Sequence, residues 1–185
     1  MSDSSLSAAV LALRQGGVIA YPTEAVWGLG CDPANEAAVY RLLALKQREV
    51  AKGLILAAAE VGQIEHLLKG LDATQRERVL ASWPGPVTWV LPVGPDFWPW
   101  VRGEHLSVAV RVSAHAGVRA LCRAFGGALV STSANLAGAE PARDEAEVRQ
   151  QFGDGLAAIL PGALGGDLKP SEIRDARSGA ILRAR

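Results

Sequence analysis

The segment Leu45-Lys46-Gln47-Arg48-Glu49-Val50-Ala51-Lys52-Gly53 sets three cations and one acid between a stretch of helical periodicity and an apolar run. Upstream, Ala38, Leu42 and Leu45 recur at helical spacing behind Asn35, a suitable N-cap, so a helix is expected over 36–46. Downstream, residues 54–58 read as a buried central strand. Helix, loop and strand in that order form a unit of an α/β fold. In an extended connection Lys46 and Arg48 point the same way, and Lys52 can return to that side. Guanidinium and ammonium donors together match phosphate oxygens. Cations at a helix C-terminus also complement its dipole and face water, so spacing alone leaves both readings open.

The alternation continues outward in both directions. Ser5 or Ser7 can cap a first helix reaching about Gln15, with Leu6, Val10 and Leu13 toward the core and Gly16-Gly17 ending it. Residues 18–21 are apolar on both faces, as in a buried strand, and Pro22 stops the pairing. Thr23 and Glu24 then stand at a strand's carboxyl end, where open α/β sheets hold ligands. Gly28 and Gly30 let the backbone pass close to a neighbour, without making a dinucleotide fingerprint.

Further on, helical patterns cover 61–68 and 73–82, the second capped by Asp72 with Gln75. Trp83-Pro84-Gly85-Pro86 is a rigid corner, with Gly85–Pro86 the candidate for a cis bond. Strands are expected at 87–91 and 107–112, joined by a loop over 94–103 packed by its own aromatics. A helix follows over 118–125, then a strand at 128–130. Asp144 and Glu147 form a capping box for a helix to Phe152, with short strands at 157–160 and 180–182. On the 107–112 strand, Ser107, Ala109 and Arg111 share one face. Arg111 there needs an anion, either an acidic side chain or a carboxylate ligand.

Composition bounds the function. With 185 residues, 49% of them hydrophobic, the chain fits one domain spanning 1–185. Its 19 basic and 19 acidic residues cancel, so no global field draws nucleic acid, and any RNA contact must be local. Cys31 and Cys122 lack metal spacing and suit core packing in a reducing compartment. His66 and His105 have no partner at ligand spacing and read as surface or packing residues, and no metal site is expected. Without a basic leader or a membrane-length apolar run, the chain reads as a soluble cytoplasmic protein.

A second polar segment lies far along the chain: Leu129-Val130-Ser131-Thr132-Ser133-Ala134-Asn135, an apolar strand running into small polar residues. Such groups leaving a strand end suit a polar ligand, and they are also turn formers ahead of Gly138 and Pro141. The pair Lys46-x-Arg48 and Ser133-x-Asn135 is joined by Tyr21-Pro22-Thr23-Glu24, Trp83-Pro84-Gly85-Pro86, Val108-Ala109-Val110-Arg111 and Pro170-Ser171-Glu172-Ile173. In this set and order the chain resembles the YrdC/TsaC family, the threonylcarbamoyl-AMP synthases, from about Gly16 to Arg183. The resemblance implies a single-domain α/β fold, a twisted, mixed open sheet flanked by helices, with a concave basic ligand cavity.

It also implies a reaction. L-threonine, bicarbonate or carbon dioxide, and ATP would give threonylcarbamoyl-adenylate and pyrophosphate. A transferase complex of separate proteins would then modify the adenosine beside the anticodon of certain tRNAs. By this resemblance Lys46 and Arg48 are catalytic and, with Lys52, hold phosphates. Ser131, Ser133 and Asn135 fix the nucleotide from the opposite wall, helped by Ser107 and Arg183. Thr23, Arg111 and Ser171 bind threonine, with Arg111 on its carboxylate. Mg²⁺ would arrive with the nucleotide. Adenylation of this kind needs charge neutralisation and in-line positioning more than a protein nucleophile, and the sequence shows neither a Walker loop nor a nucleophile elbow.

Three positions depart from the family pattern: Glu49 stands where Pro is common, Ala25 where many members have Thr, and Ala57 where long members place His. Ending at Arg185, the chain looks like the short bacterial form. Two other readings compete. One is an RNA-binding module without chemistry, for which the 5% aromatic content leaves few stacking platforms. The other is a carbamoyl-handling domain of the hydrogenase-maturation type, which would normally carry zinc-finger and acylphosphatase segments.

Overall fold

Short polar side chains open most of the helices by accepting a backbone N–H that the first turn leaves free. Ser2 caps α1 (Asp3–Arg14), Asn35 caps α2 (Glu36–Lys46) and Asp72 caps α3 (Ala73–Leu80), the last in a reciprocal capping box with Gln75. The helix α4 (Pro99–Arg102) is a single turn, α5 (Ala116–Phe125) is capped by the His115 ring and α6 (Glu145–Phe152) by Asp144. The computed structural model describes residues 2–167 and 169–185.

Nine strands form one mixed sheet: β1 (Ile19–Pro22), β2 (Trp27–Cys31), β3 (Ile55–Ala58), β4 (Val87–Pro92), β5 (Ser107–Val112), β6 (Leu129–Ser133), β7 (Ala158–Ile159), β8 (Glu172–Asp175) and β9 (Ile181–Arg183). Their order across the sheet is β7-β1-β2-β6-β3-β5-β4-β8-β9. The pairs β7–β1, β3–β5 and β4–β8 are parallel and the others antiparallel.

Alternation along the strands sends apolar side chains to two cores. On one face Ile19, Tyr21, Ala57 and Leu129 pack under Leu13 of α1 and Leu121 of α5. On the other, Leu29, Leu56, Val110 and Val130 pack with Leu42 of α2, Trp83, and Ile64 from the 3-10 segment Val61–Gly70. The first pair of helices contacts β1, β3 and β7. Beyond them that face is floored by one cross-strand row, Gly30–Ser131–Ile55–Ala109–Val90–Asp175, read directly from the pairing registers. From Ser131 to Asp175 the row crosses four strand spacings, roughly 19 Å at about 4.8 Å each.

The structure corrects the sequence reading at several places. Residues 27–31 and 172–175 are strands, and 99–102 form a helical turn inside what reads as loop. That loop is held from within: Arg102 donates to the carbonyls of Pro95, Phe97, Gly103 and His105. The first helix begins earlier than expected because Ser2, not Ser5 or Ser7, accepts from Ser5 N at 3.3 Å. The cis bond is Trp83–Pro84 and not Gly85–Pro86. At α6, Glu147 accepts from Arg143 N at 2.7 Å, one residue before the Asp144 cap, so the expected box closes outside the helix. Cys31 and Cys122 are free thiols in the two cores, as their packing role requires. Among the described residues no helix is long and apolar enough to cross a membrane.

Candidate active site

The uncovered half of the sheet forms the floor of a cavity of about 600 Å³, within the size range of small-ligand sites. Its walls are the loop after β1, the loop from Arg48 to Leu54, residues 101–107 and the end of the chain. Arg48, Lys52, Arg102, Arg111 and Arg183 line it against one carboxylate, Asp175. The Arg102 guanidinium is spent on carbonyls, which leaves four cations for a ligand. A cavity so charged favours an anion.

Arg48 and Ser133, distant in sequence, line this one cavity, as do Lys52, Thr23, Ser107, Arg111, Ser131 and Arg183. Arg48 Nη2 donates to Gly53 O at 3.0 Å, while its buried Nε has no partner. Burial lowers its pKa from the usual value. Lys52 is exposed and meets Glu49 only loosely, at 3.7 Å. Such a surface pair is weak, so Lys52 is free to turn to a stronger anion.

Lys46, Asn135 and Ser171 are not among the lining residues. Lys46 is 4% exposed and donates from Nζ to Ser133 O, to Asn135 O at 2.8 Å and to Asn135 Oδ1 at 3.4 Å. Asn135 Nδ2 donates to the carbonyls of Leu136 and Ala139, both at 2.9 Å, which fixes the amide orientation. Its Oδ1 must therefore accept from Ser133 Oγ, at 2.5 Å. With its proton committed, the Ser133 hydroxyl can offer only lone pairs elsewhere. Ser171 is buried, its hydroxyl 2.8 Å from Thr88 Oγ1, and its carbonyl accepts from Arg183 Nη2 at 2.7 Å.

Arg111 meets an acidic side chain, the first of the two alternatives its strand position allows. Glu24 Oε2 lies 3.1 Å from Arg111 Nη1, an ion pair rather than an aligned hydrogen bond, and Ser113 Oγ donates to Glu24 Oε1 at 2.6 Å. Burial would raise the Glu24 pKa, but Arg111 and Ser113 outweigh it and hold the carboxyl below its ordinary value. Arg111 Nε is buried without a partner. Arg183 has its pKa lowered by burial and by the like charge of Arg111. Both guanidiniums line the cavity and, among the described residues, only Arg111 has a carboxylate partner, Glu24, so the two retain capacity for an added anion.

Residues 162–167 brace this corner. Gly165 N donates to Thr23 O at 3.0 Å and Asp167 N to Glu24 O at 2.9 Å, while His115 Nε2 bonds Ala163 O at 3.0 Å. Thr23 Oγ1 donates to Val26 O at 2.7 Å, so it too faces the cavity with lone pairs. The sequence does not single out Glu24, Ser113 or Asp175 as site residues. The available signal is the placement of Glu24 at the end of β1, on the ligand side of the sheet. His105, which reads as a surface or packing residue, lines the cavity mouth. Among the described residues no group of three or more His, Cys, Asp or Glu could hold a metal ion.

Fold and cavity together define an α/β protein with a sheet-floored, cation-lined cavity. The chain belongs to the Sua5/YciO/YrdC family, whose model, described as "Telomere recombination", matches residues 11–184. It is 59% identical over 175 residues to a threonylcarbamoyl-AMP synthase of Chromohalobacter salexigens, covering 95% of this chain and 94% of that one. To a threonylcarbamoyl-AMP synthase of Stenotrophomonas maltophilia it is 56% identical over 186 residues, covering 100% of both. Among solved structures, P. abyssi Sua5 complexed with L-threonine superposes with a TM-score of 0.86 at 28% identity over 95% of this chain. This chain spans only 52% of that Sua5 chain. E. coli YciO shares the fold, with a TM-score of 0.85 at 24% identity over 100% of this chain and 89% of that one.

Proposed function

We propose that the cavity is the active site of an L-threonylcarbamoyladenylate synthase, a nucleotidyltransferase that uses L-threonine, bicarbonate and ATP. The observation that carries this reading is the convergence of Arg48 and Lys52, from one loop, with Ser131 and Ser133, from a strand far along the chain, on a single hollow that also contains Arg111. High identity to threonylcarbamoyl-AMP synthases along the whole chain supports it.

The chemistry divides into two steps. The threonine amine attacks the carbon of bicarbonate-derived carbon dioxide, losing a proton and forming a carbamate. A carbamate oxygen then attacks the α-phosphorus of ATP, and pyrophosphate leaves. Arg111 takes the threonine carboxylate, and Thr23, with its lone pairs free, accepts from the amino acid. Arg48 and Lys52 neutralise the triphosphate as charge builds on the leaving pyrophosphate. Ser133 accepts from a donor on the nucleotide, such as a ribose hydroxyl, while Ser131, Ser107 and Arg183 fix the remainder. Mg²⁺, if carried by ATP, would add to the neutralisation of triphosphate charge that Arg48 and Lys52 provide. The product serves threonylcarbamoyladenosine formation in tRNA through separate transferase proteins in the cytoplasm.

The deciding experiment follows pyrophosphate released from labelled ATP. Release that requires both threonine and bicarbonate is expected, and release without threonine would reject the synthase. Tight, salt-sensitive RNA binding without turnover would replace it with the RNA-binding reading.

A further inference from the structure

Lys46 is buried behind the cavity wall, and the arrangement of its ammonium is fully described by three neighbours. An ammonium has three N–H donors. Here Nζ faces three acceptors, Ser133 O, Asn135 O and Asn135 Oδ1, and all are neutral oxygens of one turn. No donor is left over for a phosphate. The backbone of the same residue is engaged too, since Ala137 N donates to Lys46 O at 3.1 Å. Both ends of Lys46 thus hold residues 133–137.

The route of the chain explains why Lys46 and Arg48 part company. Lys46 is the last residue of α2, and Gln47 follows in a left-handed conformation, φ 51°, closing the helix with Arg48 N bonded to Leu43 O at 2.9 Å. That reversal sends Arg48 into the cavity and leaves Lys46 on the far side of the wall. Lys46 is joined through one residue to Arg48 and through its ammonium to Ser133. It therefore spans the two walls that meet the nucleotide.

We propose that Lys46 is a positioning residue: together with Asn135 it clamps the Ser133–Asn135 turn against the end of α2, and so sets the gap between Arg48 and Ser133. It touches no phosphate. This role rests on the nucleotide reading of the cavity. A displacement of about 1 Å at such a site costs on the order of 100-fold in rate, so the clamp matters without contact.

The test uses the full chain and three probes, AMP, ADP and ATP, titrated against wild type, K46M, N135A, the K46M/N135A double variant and R48A. If Lys46 is a clamp, K46M weakens all three nucleotides by the same factor, about 10- to 100-fold. N135A does likewise, and the double variant is no worse than the poorer single one. R48A, lacking a direct phosphate contact, loses more with each added phosphate. A K46M loss that grows from AMP to ATP, or that multiplies with N135A, overturns the proposal. Should K46M fail to fold, the ¹⁵N resonance of the Lys46 ammonium in wild type decides. It should keep its hydrogen-bond couplings to the Ser133 and Asn135 carbonyl carbons with ADP as with AMP bound, and a coupling to a nucleotide ³¹P in their place overturns the clamp. Nucleotide binding without threonine-dependent turnover would reject the synthase while leaving these titrations valid, and a wild-type chain that binds no nucleotide rejects both.

Discussion

Glu24 Oε2 lies 3.1 Å from Arg111 Nη1, and each side chain is only 11% exposed. The pair joins the loop after β1 to the middle of the cavity floor, and it keeps Arg111 from facing Arg183 unopposed. Removing one partner of a buried pair strands the other charge, at a cost of about 3–5 kcal/mol. Glu24→Ala should lower the denaturant midpoint accordingly and raise KM for threonine. Glu24→Gln keeps an acceptor for Ser113 and should lose less stability. Equal midpoints for wild type and Glu24→Ala, measured by urea unfolding, would show that Arg111 finds another partner.

The same pair gives the protein an acid limit. Glu24 has its ordinary pKa of 4.5 in the unfolded chain and a lower one in the fold, where Arg111 and Ser113 overcome the effect of burial. The stability it contributes is complete above pH 4.5 and disappears as pH falls through the lower, folded value. Unfolding curves of wild type and Glu24→Gln should therefore converge as pH drops below 4.5. A gap that stays constant with pH would remove Glu24 from the acid transition.

How far the sequence reveals this site depends on which residues are asked. The cap at Asn35, the helix behind the cation loop and the alternation placing Arg111 among small residues follow from local rules, and all three stand. The strand β2 is hidden from sequence because Gly28 and Gly30 weaken any strand pattern. In the fold they make room: a Cβ on Gly30 would lie 2.6 Å from Val130 O and 2.9 Å from the Tyr21 hydroxyl. The strand β8 carries Glu172, Arg174 and Asp175, and it pairs with β4, so far back along the chain that local periodicity carries no trace of the contact. Lys46 escapes the spacing rule for a geometric reason. Two residues apart in an extended chain face one way, but here the pair straddles a helix end and the left-handed Gln47.

Lys46 also predicts an alkaline limit for nucleotide binding. Burial, and secondarily the charge of Arg48, push its pKa from 10.5 down to about 8. Above that pH the amine keeps two N–H donors for three acceptors, and the turn at Ser133 loosens. ATP affinity should fall as pH rises through about 8. Stability moves the other way. Between about 8 and 10.5 the unfolded chain binds the proton that the fold has lost, so unfolding free energy rises with pH from this group. Calorimetric titration of ATP on either side of pH 8, beside unfolding curves at the same two values, checks both signs. Affinity unchanged between them would show that the turn holds without the ammonium.

Arg48 should be irreplaceable by lysine. Its Nη2 is fixed on Gly53 O, and the remaining donors of the fork are what a phosphate would meet. An ammonium cannot bond Gly53 and grip two phosphate oxygens in that plane. Arg48→Ala should cost about 2–5 kcal/mol of nucleotide interaction, which is tens- to thousands-fold in kcat/KM for ATP. Arg48→Lys should recover little of it. The KM for threonine should change far less than that for ATP in both variants, and a lysine variant with wild-type kinetics would leave only charge, not geometry, at this position.

The shape of the cation loop depends on a glycine outside it. Gly103 has φ +65°, which L side chains rarely adopt, and a Cβ there would meet Ala51 O and stand 2.7 Å from both Gly53 N and Val50 O. All three are backbone atoms of the turn between Arg48 and β3, so no side-chain rotation relieves the crowding. Leu54 N bonds Val101 O at 2.8 Å and Glu104 N bonds Ala51 O at 3.2 Å, which ties the two segments together on either side of the contact. Gly103→Ala should therefore destabilise the fold by about 1–3 kcal/mol and push the 50–53 turn away from the cavity floor. Lys52 and the Gly53 carbonyl that anchors Arg48 move with it. ATP affinity should drop in a variant that has lost no charged group, while threonine binding at Arg111, held from the other side by Glu24, should persist. Parallel titrations of Gly103→Ala with ATP and with threonine separate the two, and an equal loss of both ligands would mean that the variant disturbs the sheet rather than the loop.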